Sequence, residues 1–187
     1  MTNEGRGRGR DGRSRGAVAG EAAGFSWAVV EEAEPALAGL VRERFGRFKH
    51  HVLATLRKDG APRLTGLEAD FRHGELWLGM MTGARKVRDL RRDPRFSLYA
   101  NPGPGTDMEG GDVRVSGRAV EVTDPAPVAR YTADARPPEP FHLFRAEVTE
   151  VVRISHDGPY LMLTSWRPDR PLRTVRRLTE DASLLVD

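Results

Sequence analysis

Two short runs of alternating apolar residues, His51–Leu56 and Arg63–Phe71, flank the tetrapeptide Arg57-Lys58-Asp59-Gly60. Asp-Gly is the strongest short-range hairpin signal, so the two runs are expected to pair as antiparallel neighbours. A second turn, Arg72-His73-Gly74, opens a third run, Glu75–Met80, in which Leu76, Leu78 and Met80 alternate with Trp77 and Gly79. The meander continues after a helical interruption. Arg95–Ala100 reads as a fourth strand and Asp112–Val122 as a fifth. A long alternation through Phe144, Ala146, Val148, Val152 and Ile154 gives a sixth, and Leu161–Trp166 a seventh. Gly66 is expected to mark a bulge in the second strand. At Gly117 the apolar phase changes from Val113 and Val115 to Val120 and Val122, which predicts a bulge that bends the fifth strand around a barrel corner.

Few helices accompany these strands. Leu37, Leu40, Val41 and Phe45 recur at helical spacing behind Pro35, and Asp124-Pro125 caps a short helix carrying Val128 and Tyr131. Asn101–Gly111 offers almost no regular structure, Arg136–Pro140 reads as a stiff proline linker, and residues after Arg167 show no clear period. Many antiparallel strands with few helices favour a small β-barrel with peripheral helices over a layered α/β fold.

Charge bounds the function. The formal net charge is only +3 over 187 residues. Residues 1–24 carry five arginines against three carboxylates, so the remainder is nearly neutral and no nucleic-acid domain is expected. This Gly/Arg/Ala-rich leader lacks apolar periodicity and aromatics, and it reads as a disordered, solvated segment. The absence of cysteine excludes disulfides, thiolate metal sites and a cysteine nucleophile. No apolar run suits a membrane helix and no secretory signal is visible, so a cytoplasmic protein is expected.

The chemistry concentrates between Trp77 and Pro94. There a strand end and a glycine-containing turn lead into a short helix, with Thr82 placed to cap it, Ala84, Val87 and Leu90 to bury one face, and Asp93-Pro94 to stop it. Arg85 and Lys86 fall in the first turn, where the helix dipole disfavours cations and free N–H groups favour an anion. Either a bound phosphate lies against them or both face water. Lys86 is one of only three lysines in the chain.

Other chemistries find no support. His50-His51 would point to opposite faces of a strand, the other three histidines are scattered, and no metal site is expected. Ser116, Ser165 and Thr55 lack a histidine–acid pattern, and no catalytic set is identified. Trp166 ends the seventh strand and either packs on the barrel or meets a ligand. Met80 and Met81 either fill gaps in packing or edge a flat ring.

Four stretches in this order carry a family resemblance: V-L-A-T-L-R-K-D-G-A-P-R, G-A-R-K-V-R-D-L-R-R-D-P-R, G-D-V-R-V-S-G-R-A-V-E-V-T-D-P and F-R-A-E-V-T-E-V-V-R-I. Over residues 36–177 the chain is similar to the pyridoxamine 5′-phosphate oxidase-like split-barrel superfamily, nearer its actinobacterial flavin- or deazaflavin (F420)-dependent reductases. The resemblance implies a mainly β protein, a six- to seven-stranded antiparallel split β-barrel with peripheral short helices. It would span residues 25–177, between the leader 1–24 and a tail 178–187. It implies a homodimer with flavin mononucleotide (FMN), F420 or, less favoured, haem at the subunit interface. The activity implied is hydride transfer between cofactor and a small molecule; a non-catalytic carrier of flavin, F420 or haem is the alternative. Arg85, Lys86 and Arg63 match positions that hold the cofactor phosphate. Thr65, Met80, Met81, Thr82 and Trp166 fall where the ring or its tail would lie. Two positions depart from the oxidase pattern: Glu68 stands where the family has a lysine, and Ala84 where it has a serine.

Overall fold

The computed structural model describes residues 24–104 and 110–178, so the leader up to residue 23, the loop 105–109 and the tail from 179 lie outside the described residues. Two helices open the fold, α1 (Trp27–Ala33) and α2 (Pro35–Gly46), followed by the strands β1 (His51–Leu56), β2 (Pro62–Leu67), β3 (Ala69–Arg72) and β4 (Glu75–Met81). Helix α3 (Arg85–Arg92) precedes β5 (Arg95–Tyr99) and β6 (Asp112–Glu121); α4 (Pro125–Ala135) precedes β7 (Phe141–Asp157), β8 (Tyr160–Arg167) and β9 (Arg170–Leu178). The protein is mainly β, an antiparallel split-barrel-like sheet with short helices around it. None of the described helices is long and apolar enough to cross a membrane.

The sheet runs in the order β2-β1-β5-β6-β7-β4-β3, with β8 added to β7 and β9 to β8. The Arg57–Gly60 turn closes β1 onto β2 as expected, pairing Leu56 with Pro62 and His51 with Leu67. The 17-residue β7 holds the architecture together. One of its edges pairs with β6, and the other pairs with β4 through Phe141–Arg145 and with β8 through Val151–Asp157.

A register shift falls at Gly117, but the bulge expected in the fifth strand lies on its partner. Ser116 pairs with Glu150 and Gly117 with Val148, leaving Thr149 as the extra residue on β7, and the buried face of β6 keeps its phase through Val113, Val115, Gly117 and Ala119. A Cβ at Gly117 would lie 2.0 Å from the Glu147 carbonyl oxygen, so glycine is required by that close approach.

Five expectations are corrected. Among the described residues nine strands form rather than six or seven. Arg63–Phe71 is two strands interrupted at Glu68, and Gly66 is not bulged but pairs in register with Val52. The stretch after Arg167 forms β9, nearly every residue of which is exposed, so no buried face imposed a period-two pattern. Thr82 does not cap α3; the helix starts later, and Ala84 occupies the cap position with no side-chain hydrogen bond.

One core fills the barrel, with Trp27, Val41, Phe45, Leu53, Leu76, Leu78, Leu90, Val113, Val115, Phe144 and Val148 among its buried residues. Trp27 meets Phe71 edge-on at 4.7 Å between ring centroids, and Phe45 meets the same ring at 5.4 Å. Beneath α4 a smaller cluster joins Trp77, Tyr131 and Leu143. Helix α3 turns Val87 and Leu90 into the main core.

Candidate functional site

Helix α3 has polar neighbours in chain on both sides of its two apolar anchors, so seating Val87 and Leu90 fixes where its remaining side chains point. Arg85, Arg88 and Arg92 fall on one stripe at i, i+3 and i+7. They face β2 and the β1–β2 turn, and together with Arg57, Lys58, Asp59, Arg63 and Asp89 they line a pocket of about 700 Å³. Every lining side chain is charged: six cations against two carboxylates.

Asp89 forms the floor. Its side chain is only 5 % exposed, and it accepts hydrogen bonds from Arg63 Nε at 2.5 Å, Thr55 Oγ1 at 3.1 Å and Arg92 Nη2 at 3.3 Å. Burial alone would push its pKa up; the hydrogen bonds from Arg63, Thr55 and Arg92 outweigh that and hold it below the ordinary aspartate value. Arg92 also donates to the Leu56 carbonyl at the end of β1. β1, β2 and α3 are thereby tied together through one carboxylate.

Asp59 is committed to its own turn. Its Oδ1 accepts from the Ala61 N–H at 3.0 Å, while Gly60 N–H donates to the Arg57 carbonyl at 2.9 Å and Arg57 N–H to that of Ala61 at 2.8 Å. Gly60 adopts φ 84°, the left-handed conformation that the Asp-Gly signal anticipated. Among the described residues the side chains of Arg57, Lys58, Arg85 and Arg88 have no hydrogen-bond or ion-pair partner.

The residues singled out from sequence separate into three groups. Arg63 and Arg85 meet in the pocket. Lys86 lies beside it but not in its wall: one helical position on from Arg85, its Nζ donates to the Gly66 carbonyl at 2.5 Å, and half-burial lowers its pKa. Thr65 shares the inward face of β2 with Arg63, and its Oγ1 is buried without a hydrogen-bond partner. The remaining four are not brought to the pocket. Met80 and Trp166 are core residues, each 3 % exposed, whereas Met81 is 76 % exposed at the end of β4 and Thr82 is exposed in the following turn.

Glu68 does not oppose the pocket's charge either. It sits at the break between β2 and β3 and pairs with Lys49 at 3.3 Å and His50 at 3.4 Å. Sequence reasoning missed Asp89, Arg57, Lys58, Arg88 and Arg92. The arginine stripe on α3 was the available signal, but on an isolated helix it reads as a solvated face.

Comparison with known proteins places this geometry in a family. No curated protein matches the chain. Among solved structures, PhzG from Burkholderia lata in complex with tetrahydrophenazine-1-carboxylic acid is 16% identical. That alignment covers 80% of this chain and 92% of PhzG, with a TM-score of 0.54. ChuZ from Campylobacter jejuni is 11% identical over 72% of this chain and 61% of its own, with a TM-score of 0.55. Protein Atu2129 of unknown function, from Agrobacterium tumefaciens, is 23% identical over 65% of this chain and 57% of its own, with a TM-score of 0.51. At such identities the likeness concerns the fold alone. The family model for pyridoxamine 5′-phosphate oxidase matches residues 37–155, which include β1, β2, α3 and the whole charged pocket. The chain therefore belongs to the pyridoxamine 5′-phosphate oxidase family.

Proposed function

We propose that this protein is an oxidoreductase that binds FMN or F420 by its phosphate in the pocket between the β1–β2 turn and α3. It transfers a hydride between that cofactor and a small organic molecule. One observation carries the reading: Arg63 and Arg85, from β2 and the start of α3, converge on a pocket whose other walls are also cationic. Such a pocket fits a phosphate, whose oxygens accept charge-assisted hydrogen bonds from guanidinium groups.

When bound, the cofactor ring supplies the hydride donor or acceptor, and no side-chain nucleophile is required. The chain's own residues bind and orient. Asp89 holds Arg63 and Arg92 at fixed angles, so the anion meets donors already in place. Thr65 Oγ1 is buried on the same strand face as Arg63, outside the pocket's lining. Lys86 braces α3 against β2 through the Gly66 carbonyl, and its charge adds to the field of the pocket without touching its wall.

A flat ring is ordinarily held by apolar and aromatic side chains, and the residues lining this pocket offer only the methylene stems of charged ones. On the outer face of the same strands Val52 is 38 % and Leu64 69 % exposed; the register sets Val52 beside Tyr99, and Leu64 beside Ala54. A second copy seated on this apolar face completes the site in the proposed homodimer.

The test is an absorbance and fluorescence spectrum of the purified protein, followed by titration with FMN and F420 separately. Saturable binding of one, weakened by Arg85→Glu, is expected. Failure of both to bind would remove the cofactor reading. Turnover of the reduced cofactor with an acceptor separates an enzyme from a carrier on the same barrel.

A further inference from the structure

The pocket holds more positive charge than one phosphate monoester answers. Such an ester carries a charge of about −2 at neutral pH. Asp89 answers Arg63 and Arg92, and Asp59 is turned to its own backbone, which leaves Arg57, Lys58, Arg85 and Arg88 unanswered among the described residues. These four occupy two walls: Arg85 and Arg88 stand on α3, while Arg57 and Lys58 stand on the facing turn. Like charges arranged this way repel one another, along the helix between Arg85 and Arg88 as well as across the pocket. The turn is not a floppy loop that could swing its cations away. Two backbone hydrogen bonds and the Asp59 carboxylate fix it at the pocket rim.

We infer that the β1–β2 turn forms a second anion subsite, through Arg57 and Lys58, so that the pocket takes a ligand with two linked anionic groups. Arg63 and Arg85 hold the first group and the turn holds the second. This rests on the reading of the pocket as the anion end of a cofactor or substrate site. The second group is either another phosphoryl or a carboxylate, since both accept hydrogen bonds from guanidinium and ammonium donors.

The experiment titrates the full-length protein, at fixed ionic strength, with inorganic phosphate, pyrophosphate and phosphoglycolate by calorimetry. Wild type is expected to bind at least one of the two linked anions about tenfold tighter than phosphate. Which of the two is preferred identifies the second group. In Arg57→Ser/Lys58→Ser that preference is expected to fall to about twofold or less while phosphate affinity is kept. Arg173→Ser/Arg177→Ser on β9 removes the same charge elsewhere and is expected to leave the preference intact. Equal affinity for all three anions in wild type would overturn the inference, as would a preference that survives in the turn variant or falls equally in the β9 variant. The turn residues are exposed, and a thermal melt of each variant confirms that it is folded. FMN titration of the same samples separates the two readings. FMN binding without any linked-anion preference removes the second subsite and leaves the cofactor site standing. A linked-anion preference lost in the turn variant, without FMN or F420 binding, does the reverse.

Discussion

Two parts of this molecule are rich in arginine, and they use it differently. Helix α3 carries Arg85, Arg88, Arg91 and Arg92, and the edge strand β9 carries Arg170, Arg173, Arg176 and Arg177. On β9 the side chains alternate between faces, so Arg173 and Arg177 point one way and Arg176 the other. Arg170 pairs with Asp169 at 3.0 Å, and Arg176 stacks over the Tyr160 ring at 3.3 Å. β9 is an edge strand of the sheet, paired with β8. On α3 the helical period brings three arginines onto one stripe, and the β1–β2 turn supplies an opposing wall. Charge becomes a site through convergence on a shared volume, and the count of cations alone does not distinguish the two regions.

Asp89 separates them most sharply: it is the one buried carboxylate among the described residues, and it lies on α3. Asp89→Ala is expected to lower stability by about 3 kcal/mol in urea unfolding at pH 7, since it leaves Arg63, only 17 % exposed, without its partner. A loss below about 1 kcal/mol would show that Arg63 is adequately solvated and that the floor of the pocket is not structural.

Next in size is Arg85→Glu. Charge-assisted hydrogen bonds contribute about 1.5–3 kcal/mol, so FMN affinity by fluorescence titration should fall at least about tenfold, with stability changed by under about 0.5 kcal/mol. Unchanged affinity would dissolve the contrast between α3 and β9.

Smaller again is a pH effect. Asp89's pKa is depressed in the folded state, so its contribution is present above the unfolded aspartate value of about 3.9 and is lost as pH falls towards the folded value. The stability gap between wild type and Asp89→Asn should therefore stay constant from pH 7 to about 5 and close on further acidification. A gap that widened with acid would reverse the assigned sign. The smallest effect is expected on β9, where Arg173→Ser/Arg177→Ser should leave both stability and FMN affinity within about 0.5 kcal/mol of wild type.

What could be read from the sequence was what is local. The Asp59-Gly60 turn and the alternation in β1 and β4 depend on neighbours in the chain, and they appear where expected. The phase change expected at Gly117 does not: burial runs on through Val113, Val115, Gly117 and Ala119 while Val120 is exposed. Arg85 stands out from its place in the first turn of a helix, Arg63 only from its match to a family position, and both line the charged pocket. Asp89 was not, since an aspartate inside an arginine-rich helix reads as a surface residue until Thr55 and Arg63 arrive from other strands. Lys86 was assigned to the phosphate together with Arg85. Adjacent helical residues diverge by about 100°, and that rotation sends one to the pocket and the other to the Gly66 carbonyl. Helix α1 escaped notice because only Trp27 and Val30 anchor its seven residues, too short a stretch for periodicity to register.

Strand β7 has a consequence for how the chain comes off the ribosome. Without it the sheet is two separate pieces, β2-β1-β5-β6 and β4-β3, with β8 and β9 attached to neither. Hairpins such as β1–β2 and β3–β4 can form as they emerge, but their joining waits for residues 141–157. Nascent chains that end before β7 should expose unpaired edges at β4 and β6 and depend on chaperones, while those that include it can close. The last quarter of the sequence decides when the first three become a protein.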